Sequence, residues 1–91
     1  MILLIDAGNS RIKWRLQCEK NGRVEAEGAL AHDDIDSLGC VRPHALSAAR
    51  IVGSNVAGTA IAERIAHALG TEHIDWLRPG QQACGVHNLY D

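Results

Sequence analysis

A short apolar run at the start of the chain most restricts the folds that it can adopt. Residues 2–5 are Ile, Leu, Leu and Ile, and the turn-forming residues Asp6-Ala7-Gly8-Asn9 follow directly. Four apolar, β-forming residues bounded by a turn fit a strand buried on both faces better than a helix. The sequence therefore predicts that the chain opens with a buried strand.

The next two segments alternate between apolar and polar residues, which is the pattern of half-exposed strands. Residues 11–17 place apolar side chains on one face and charged or polar side chains on the other. Asn21-Gly22 is the strongest short hairpin signal, because both central residues of a type I′ turn have positive φ. Residues 24–30 then alternate again. We therefore predict a three-stranded antiparallel meander over residues 1–30.

An acidic segment and a proline follow the meander. Residues 32–39 are polar and acidic, and Asp33 and Asp34 would open a short helix near the positive end of its dipole. Pro43 is predicted to prevent a helix from running through this region, because proline lacks the N–H group that a helix interior needs.

A strand, a helix and a final strand are predicted after this segment. Residues 50–53 favour a strand, and Ser54 or Asn55 is predicted to cap the helix that follows. The helix has apolar residues at i, i+4 spacing and ends where Gly70 can close it. Residues 73–77 are predicted to form a further strand.

This order of elements predicts an α/β fold with a mixed sheet, in which an antiparallel β-meander is followed by a β-α-β unit. A single good helix cannot shield both faces of such a sheet. We therefore expect residues 1–91 to be the incomplete first part of a larger domain. We also expect the chain to form oligomers, because uncovered apolar area must be buried somewhere.

The composition argues against several classes of function. A net charge of −2 and a pI of about 6.2 provide no basic field for nucleic acid or anionic lipid. The mean hydropathy is −0.10 and no long apolar run is present, so no membrane span is predicted. The three cysteines and five histidines lack the spacings of zinc ligands. We expect a cytoplasmic protein with reduced thiols and with neither a membrane nor a nucleic-acid partner.

The segment most informative about function joins the first two strands. Its residues are Asp6, Ala7, Gly8, Asn9, Ser10, Arg11, Ile12 and Lys13. Gly8 allows the backbone to approach a phosphate oxygen, and the N–H groups of Gly8, Asn9 and Ser10 can form an anion-binding concavity. Asp6 can hold Mg²⁺, directly or through water. Lys13 can neutralise the β- and γ-phosphates, so the whole segment is a candidate for binding ATP.

The same residues also fit an ordinary hairpin turn, with Lys13 as one of several solvated strand cations. Turn residues of this kind are common in β-meanders, and no part of the segment has the glycine pattern of a Walker A or Rossmann loop. Residue chemistry alone leaves both interpretations open.

Three stretches of the sequence resemble one enzyme family. The first reads Asp6-x-Gly8-Asn9-Ser10-x-x-Lys13-Trp14 and follows the apolar strand. The others read Val52-Gly53-Ser54-Asn55-Val56 and Gly85-Val86-His87-Asn88-Leu89-Tyr90-Asp91. In these stretches the chain resembles the type III pantothenate kinases, members of the acetate/sugar kinase–Hsp70–actin superfamily. The resemblance implies an actin-like, ribonuclease H-like fold.

The resemblance also implies ATP-dependent phosphorylation of pantothenate to 4′-phosphopantothenate, the first step of coenzyme A biosynthesis. It implies that residues 6–13 bind ATP and Mg²⁺, that Tyr90 contacts pantothenate, and that the enzyme is a homodimer using a monovalent cation, K⁺ or NH₄⁺. The family's acceptor-activating aspartate, in an L-G-x-D-R motif, is expected beyond Asp91. Because that aspartate and the second actin-like half are expected to be absent, residues 1–91 alone are predicted to be inactive.

Two other functions stay open at this point. Some relatives with this opening are described as transcriptional accessory factors, although the net charge of −2 gives no electrostatic support for direct DNA binding. An actin-like nucleotide-binding module without catalysis would use the same loop. Pantothenate-dependent consumption of ATP would separate a kinase from such a module.

Overall fold

The computed structural model describes residues 1–77. Within this part of the chain there are five strands, one 3₁₀ helix and two α-helices. In chain order they are β1 (Ile2–Ala7), β2 (Arg11–Gln17), β3 (Val24–Ala31), the 3₁₀ helix (His32–Val41), α1 (Arg42–Ser47), β4 (Arg50–Asn55), α2 (Thr59–Leu69) and β5 (Asp75–Leu77). None of the helices in residues 1–77 is long and apolar enough to cross a membrane.

The five strands form one mixed sheet in the order β3-β2-β1-β4-β5. β1 lies at the centre, antiparallel to β2 and parallel to β4. β3 extends the sheet antiparallel to β2, and β5 pairs parallel with β4. All six residues of β1 are buried. The predicted buried first strand, antiparallel meander and β-α-β unit are therefore confirmed.

The main hydrophobic core lies between one face of the sheet and the helices. Alternate residues of β1 and β2 point into it, as the two-residue period of a strand requires. The sheet contributes Leu3, Ile5, Ala7, Ile12, Leu16 and Ile51, and the helices contribute Ile35, Leu38, Val41, Ala45, Ile65, Ala68 and Leu69. This arrangement places the helices described above on a single face of the sheet.

The opposite face carries a smaller apolar cluster. Ile2, Leu4 and Val52 form it, and Leu77 packs against them. The first three side chains are only 2% to 3% exposed. These residues therefore do not present the open apolar area that the prediction of oligomerisation assumes, and oligomerisation stays a prediction.

Residues 32–47 contain more helix than the sequence indicates. The 3₁₀ helix buries Ile35, Leu38 and Val41, whose spacing of three residues matches its period. The prediction that Pro43 prevents a helix here is wrong. Pro43 lies in the first turn of α1, where the N–H group that proline lacks would have no partner within the helix.

The predicted cap of α2 is also wrong. Neither Ser54 nor Asn55 caps the helix, because β4 continues through both residues in its pairing with β1, and Gly58 is the N-cap residue. The Asn55 side chain instead stabilises the connecting turn. Its Oδ1 accepts a hydrogen bond from the Ala57 N–H, and its Nδ2 donates to the Gly58 carbonyl, both at 2.8 Å. Gly70 ends α2 with a φ of 74°, as predicted.

An arginine from α1 binds the C-terminal end of α2. The Nε and Nη2 atoms of Arg42 lie 3.3 and 3.1 Å from the carbonyl oxygen of Ala68, and Nη2 lies 3.5 Å from that of His67. The last carbonyls of a helix lack partners within the helix and carry partial negative charge. The guanidinium supplies both hydrogen bonds and positive charge, so this contact holds the start of α1 against the end of α2.

Two tryptophans lie over glycines of neighbouring strands. Trp14 on β2 is directly opposite Gly28 on β3, and a Cβ atom at Gly28 would lie 2.7 Å from the Trp14 Nε1. Trp76 on β5 is in register with Gly53 on β4, and a Cβ atom at Gly53 would collide with the Trp76 ring. Both indoles pack against the main core. Each glycine therefore leaves the space that an indole occupies.

We expect Gly28→Ala to lower the free energy of unfolding by about 1–3 kcal/mol, the usual cost of overpacking a core. The added methyl group would displace the Trp14 ring. Gly39→Ala is the matched control, because an added Cβ at Gly39 meets no atom within 4 Å. Urea unfolding followed by tryptophan fluorescence measures both variants. Equal stability of the two would contradict the packing of Trp14 on Gly28.

We expect Arg42→Met to lower the free energy of unfolding by about 1 kcal/mol, because the carbonyls at the end of α2 lose a charged donor while the apolar stem is kept. Arg64→Met is the control, because Arg64 is an exposed arginine on α2, the helix whose end Arg42 binds. Thermal unfolding followed by circular dichroism compares them. If the two variants unfold at the same temperature, Arg42 does not stabilise α2.

Candidate functional site

Several strand ends meet at one edge of the sheet. β1, β3 and β4 end there and β2 begins there, as their registers require. The β1–β2 turn (residues 8–10) and the β4–α2 turn (residues 56–58) are therefore neighbours, and the Val56 N–H donates a hydrogen bond of 3.0 Å to the Ala7 carbonyl. The carboxyl ends of parallel strands are the usual place for ligand sites in α/β sheets.

Three polar residues form a row across this edge. Asp6 on β1 is directly opposite Lys13 on β2 and beside Ser54 on β4. Residues paired in register point to the same face of a sheet, so the three side chains share the face opposite the main core. Asp6 is only 2% exposed because it lies on the central strand. The row thus combines a buried carboxylate, an ammonium group and a hydroxyl.

The β1–β2 turn uses part of its backbone to maintain its own shape. The Gly8 N–H donates to the Arg11 carbonyl at 2.9 Å, so this group is engaged within the turn. Asn9 and Ser10 are exposed. Among residues 1–77, no backbone carbonyl of a turn or loop accepts a hydrogen bond from the amides of Asn9 or Ser10. Adjacent N–H groups in a turn are donors of the kind that can bind an anion.

A histidine from the end of the meander contacts the same turn. His32 directly follows β3, and the register places Ala31, the last residue of β3, beside Arg11 at the start of β2. The Nε2 atom of His32 lies 2.7 Å from the carbonyl oxygen of Gly8. A carbonyl oxygen can only accept a hydrogen bond, so Nε2 carries the proton and donates it. The contact therefore links the start of the 3₁₀ helix to the turn.

The segment predicted from the sequence, residues 6–13, divides between the site and the core. Ala7 and Ile12 are fully buried in the main core, so their side chains point away from the site. Gly8 is buried, and its backbone forms part of the turn. The side chains at the site edge are those of Asp6, Asn9, Ser10, Arg11 and Lys13.

Two residues of this edge were not among the predicted site residues. Ser54 is part of a stretch that resembles the family, but its place beside Asp6 follows from the parallel register of β1 and β4. His32 reaches the turn through the antiparallel register of β2 and β3. Register is set by pairing across the sheet, so neither position has a local signal. Tyr90 and the rest of the segment 85–91 lie outside the described residues.

Other reactive groups lie away from this edge. Cys18 begins the turn after β2, at the opposite end of that strand, and hydrogen bonds from the backbone of Asn21 and then of Lys20 lower the pKa of its thiol. In the part of the chain that the structure describes, no group of three or more His, Cys, Asp or Glu side chains could hold a metal ion.

Comparison with known proteins identifies the family. A family model for type III pantothenate kinase matches residues 2–91. Proteins named type III pantothenate kinase include those of Aromatoleum aromaticum (45% identical over 94 residues), Azoarcus sp. (39% over 93) and Paraburkholderia xenovorans (42% over 95). The alignments cover 100%, 100% and 97% of this chain but 38%, 35% and 33% of those proteins. The chain therefore spans about a third of their length.

Two solved structures share the fold at low sequence identity. A candidate N-acetylglucosamine kinase of Porphyromonas gingivalis superimposes with a TM-score of 0.57 and 18% identity, over 84% of this chain and 33% of that one. The PPX-GPPA enzyme of Aquifex aeolicus gives a TM-score of 0.54 and 12% identity, over 86% and 36%. Both likenesses support an actin-like fold, and they are consistent with the first part of such a domain.

Residues 6–13, a stretch in which the sequence resembles the family, form the end of β1, the β1–β2 turn and the start of β2. Its carboxylate and its lysine lie opposite each other across two paired strands. The chain belongs to the type III pantothenate kinase family.

Proposed function

We propose that this chain supplies the ATP-binding part of a kinase that phosphorylates pantothenate to 4′-phosphopantothenate, the first step of coenzyme A biosynthesis. The observation that carries the proposal is the cross-strand register of Asp6 with Lys13, beside a turn whose residues Asn9 and Ser10 are exposed. The match of residues 2–91 to the type III pantothenate kinase family supports the substrate. Each group in this arrangement suits one part of a nucleotide triphosphate.

The β1–β2 turn provides the groups that would bind the phosphates. The amides of Asn9 and Ser10 would donate hydrogen bonds to phosphate oxygens, and the side chains of both residues add further donors. Lys13 would neutralise charge on the β- and γ-phosphates. Arg11 is exposed at the start of β2 and adds a second cation next to the turn. The turn would therefore bind the phosphates through both hydrogen bonds and charge.

Asp6 fits a magnesium site by the chemistry of its donor atoms. Mg²⁺ prefers oxygen ligands and typically takes one or two carboxylates, with phosphate oxygens and water in the remaining positions. Asp6 offers a buried carboxylate at the strand end, with Ser54 beside it. Asp6 would hold the ion directly or through water. When bound, Mg²⁺ neutralises charge that develops on the transferred phosphoryl group.

The acceptor side of the reaction is proposed from the family. Tyr90 would contact pantothenate, and the aspartate that activates its primary hydroxyl would lie beyond Asp91. Residues 1–91 would form the N-terminal part of an actin-like kinase domain, and a second half would come from a segment such as the relatives' longer chains contain. Phosphoryl transfer depends on positioning both substrates, so residues 1–91 alone would bind nucleotide without turning it over.

A chimera tests the proposed activity. Residues 1–91 would replace the matched region of the Aromatoleum aromaticum protein, whose remaining length supplies the rest of the domain. The measurement is ADP release from ATP with and without pantothenate. The proposal predicts release that depends on pantothenate. A folded chimera that binds ATP but releases no ADP with pantothenate would contradict the kinase and favour a nucleotide-binding module.

In this chimera, we expect Lys13→Ala and Asp6→Asn each to lower kcat/KM by about a hundredfold or more, because each removes a group that stabilises charge in the transition state. Lys20→Ala is the matched control, since Lys20 lies in the turn at the other end of β2. Circular dichroism establishes that the variants are folded. Near-normal turnover in both site variants would show that residues 6–13 do not bind the phosphates.

A further inference from the structure

We propose that His32 is a positioning residue that orients the β1–β2 turn for phosphate binding. The proposal rests on the proposed function, because it concerns how that turn binds the phosphates. It adds a residue outside the motif that residues 6–13 provide. The contact that carries it is the hydrogen bond of 2.7 Å from His32 Nε2 to the Gly8 carbonyl.

This hydrogen bond sets the direction of a neighbouring amide. The carbonyl of Gly8 and the N–H of Asn9 belong to the same peptide unit, and this peptide bond is trans. In a trans peptide the C=O and N–H bonds point in opposite directions. With the Gly8 carbonyl held by His32, the Asn9 N–H points away from His32. Asn9 is exposed, so a ligand can approach this residue.

The peptide unit before this one is held by two further hydrogen bonds. The Gly8 N–H donates to the Arg11 carbonyl at 2.9 Å, and the Ala7 carbonyl accepts from the Val56 N–H at 3.0 Å. These two hydrogen bonds fix the preceding peptide unit, while His32 fixes the one between Gly8 and Asn9. Loss of the His32 contact would let that unit rotate, because glycine permits a wide range of backbone angles. Donors that are fixed before binding lose less entropy when the ligand binds.

A purely structural role for His32 makes a different prediction. His32 is half-buried at the junction of β3 and the 3₁₀ helix, so it could serve only to stabilise that junction. A structural role would change the stability of the protein and would affect both substrates alike. A positioning role would act on ATP and leave pantothenate unaffected. The two Michaelis constants therefore separate the two roles.

The kinetic test compares three variants in the chimera described above. His32→Leu removes the donor, and His32→Gln keeps an amide N–H donor near the position of Nε2. His67→Leu is the matched control, because His67 is exposed on α2. We expect His32→Leu to raise KM for ATP by about tenfold, the effect of one lost hydrogen bond, and to change KM for pantothenate by less than about twofold.

Recovery by the conservative variant completes this test. His32→Gln is expected to bring KM for ATP back to within about threefold of the parent value. This remaining increase in KM is smaller than the increase expected from the loss of one hydrogen bond. The His67→Leu control should match the parent. Equal changes in both Michaelis constants, an unchanged KM for ATP in His32→Leu, or no recovery in His32→Gln would each overturn the positioning role.

A binding measurement on residues 1–91 distinguishes failure of this inference from failure of the proposed function. Mg·ATP is titrated into the ¹⁵N-labelled chain while the amide resonances of Asn9 and Ser10 are followed. The parent should show saturable shifts, and His32→Leu should need about tenfold more ATP to reach the same shifts. No shift in the parent would overturn the phosphate-binding role of the turn and this inference with it. Equal affinities in the parent and His32→Leu would overturn the role of His32 alone.

Discussion

The position of β1 between an antiparallel and a parallel neighbour determines where the functional groups of this chain meet. Antiparallel pairing with β2 produces the β1–β2 turn, and parallel pairing with β4 brings the β4–α2 turn to the same edge. The central strand is apolar until it reaches Asp6, which is 2% exposed. A buried carboxylate is costly to desolvate. Such a departure from an apolar pattern is expected where function requires it, and here it coincides with the end of the strand.

Much of the sheet could be predicted from local pattern. The apolar run of residues 2–5 indicated a buried strand, and the alternation around Asn21-Gly22 indicated a hairpin, because both signals depend on neighbouring residues alone. Gly70 was expected to end α2, and it does so with a left-handed φ. The cap of α2 was misplaced for a tertiary reason: pairing with β1 keeps Ser54 and Asn55 in β4. Strand pairing therefore outweighed the local preference of Ser54 and Asn55 for a helix N-cap.

The candidate residues 6–13 could be identified from the sequence, whereas the neighbouring residues His32 and Ser54 could not. Residues 6–13 are contiguous, so their chemistry could be interpreted from the sequence. His32 and Ser54 join them through strand register, which long-range pairing decides. A short helix opening at Asp33 and Asp34 was predicted, but its 3₁₀ geometry was not, because its buried residues recur every third position, outside the usual helical and strand periods. In the proposed function the motif supplies the phosphate-binding groups, and pairing across the sheet brings His32 and Ser54 beside them.

A crystal structure of the chimera with Mg²⁺ and a non-hydrolysable ATP analogue tests the phosphate-binding role of the turn most directly. The phosphates are expected to lie against the amides of Asn9 and Ser10, with the Lys13 ammonium beside them and Asp6 facing the metal. His32 should remain bound to the Gly8 carbonyl. A nucleotide bound at another edge of the sheet, with residues 6–13 facing solvent, would contradict the assignment of this turn as the phosphate loop.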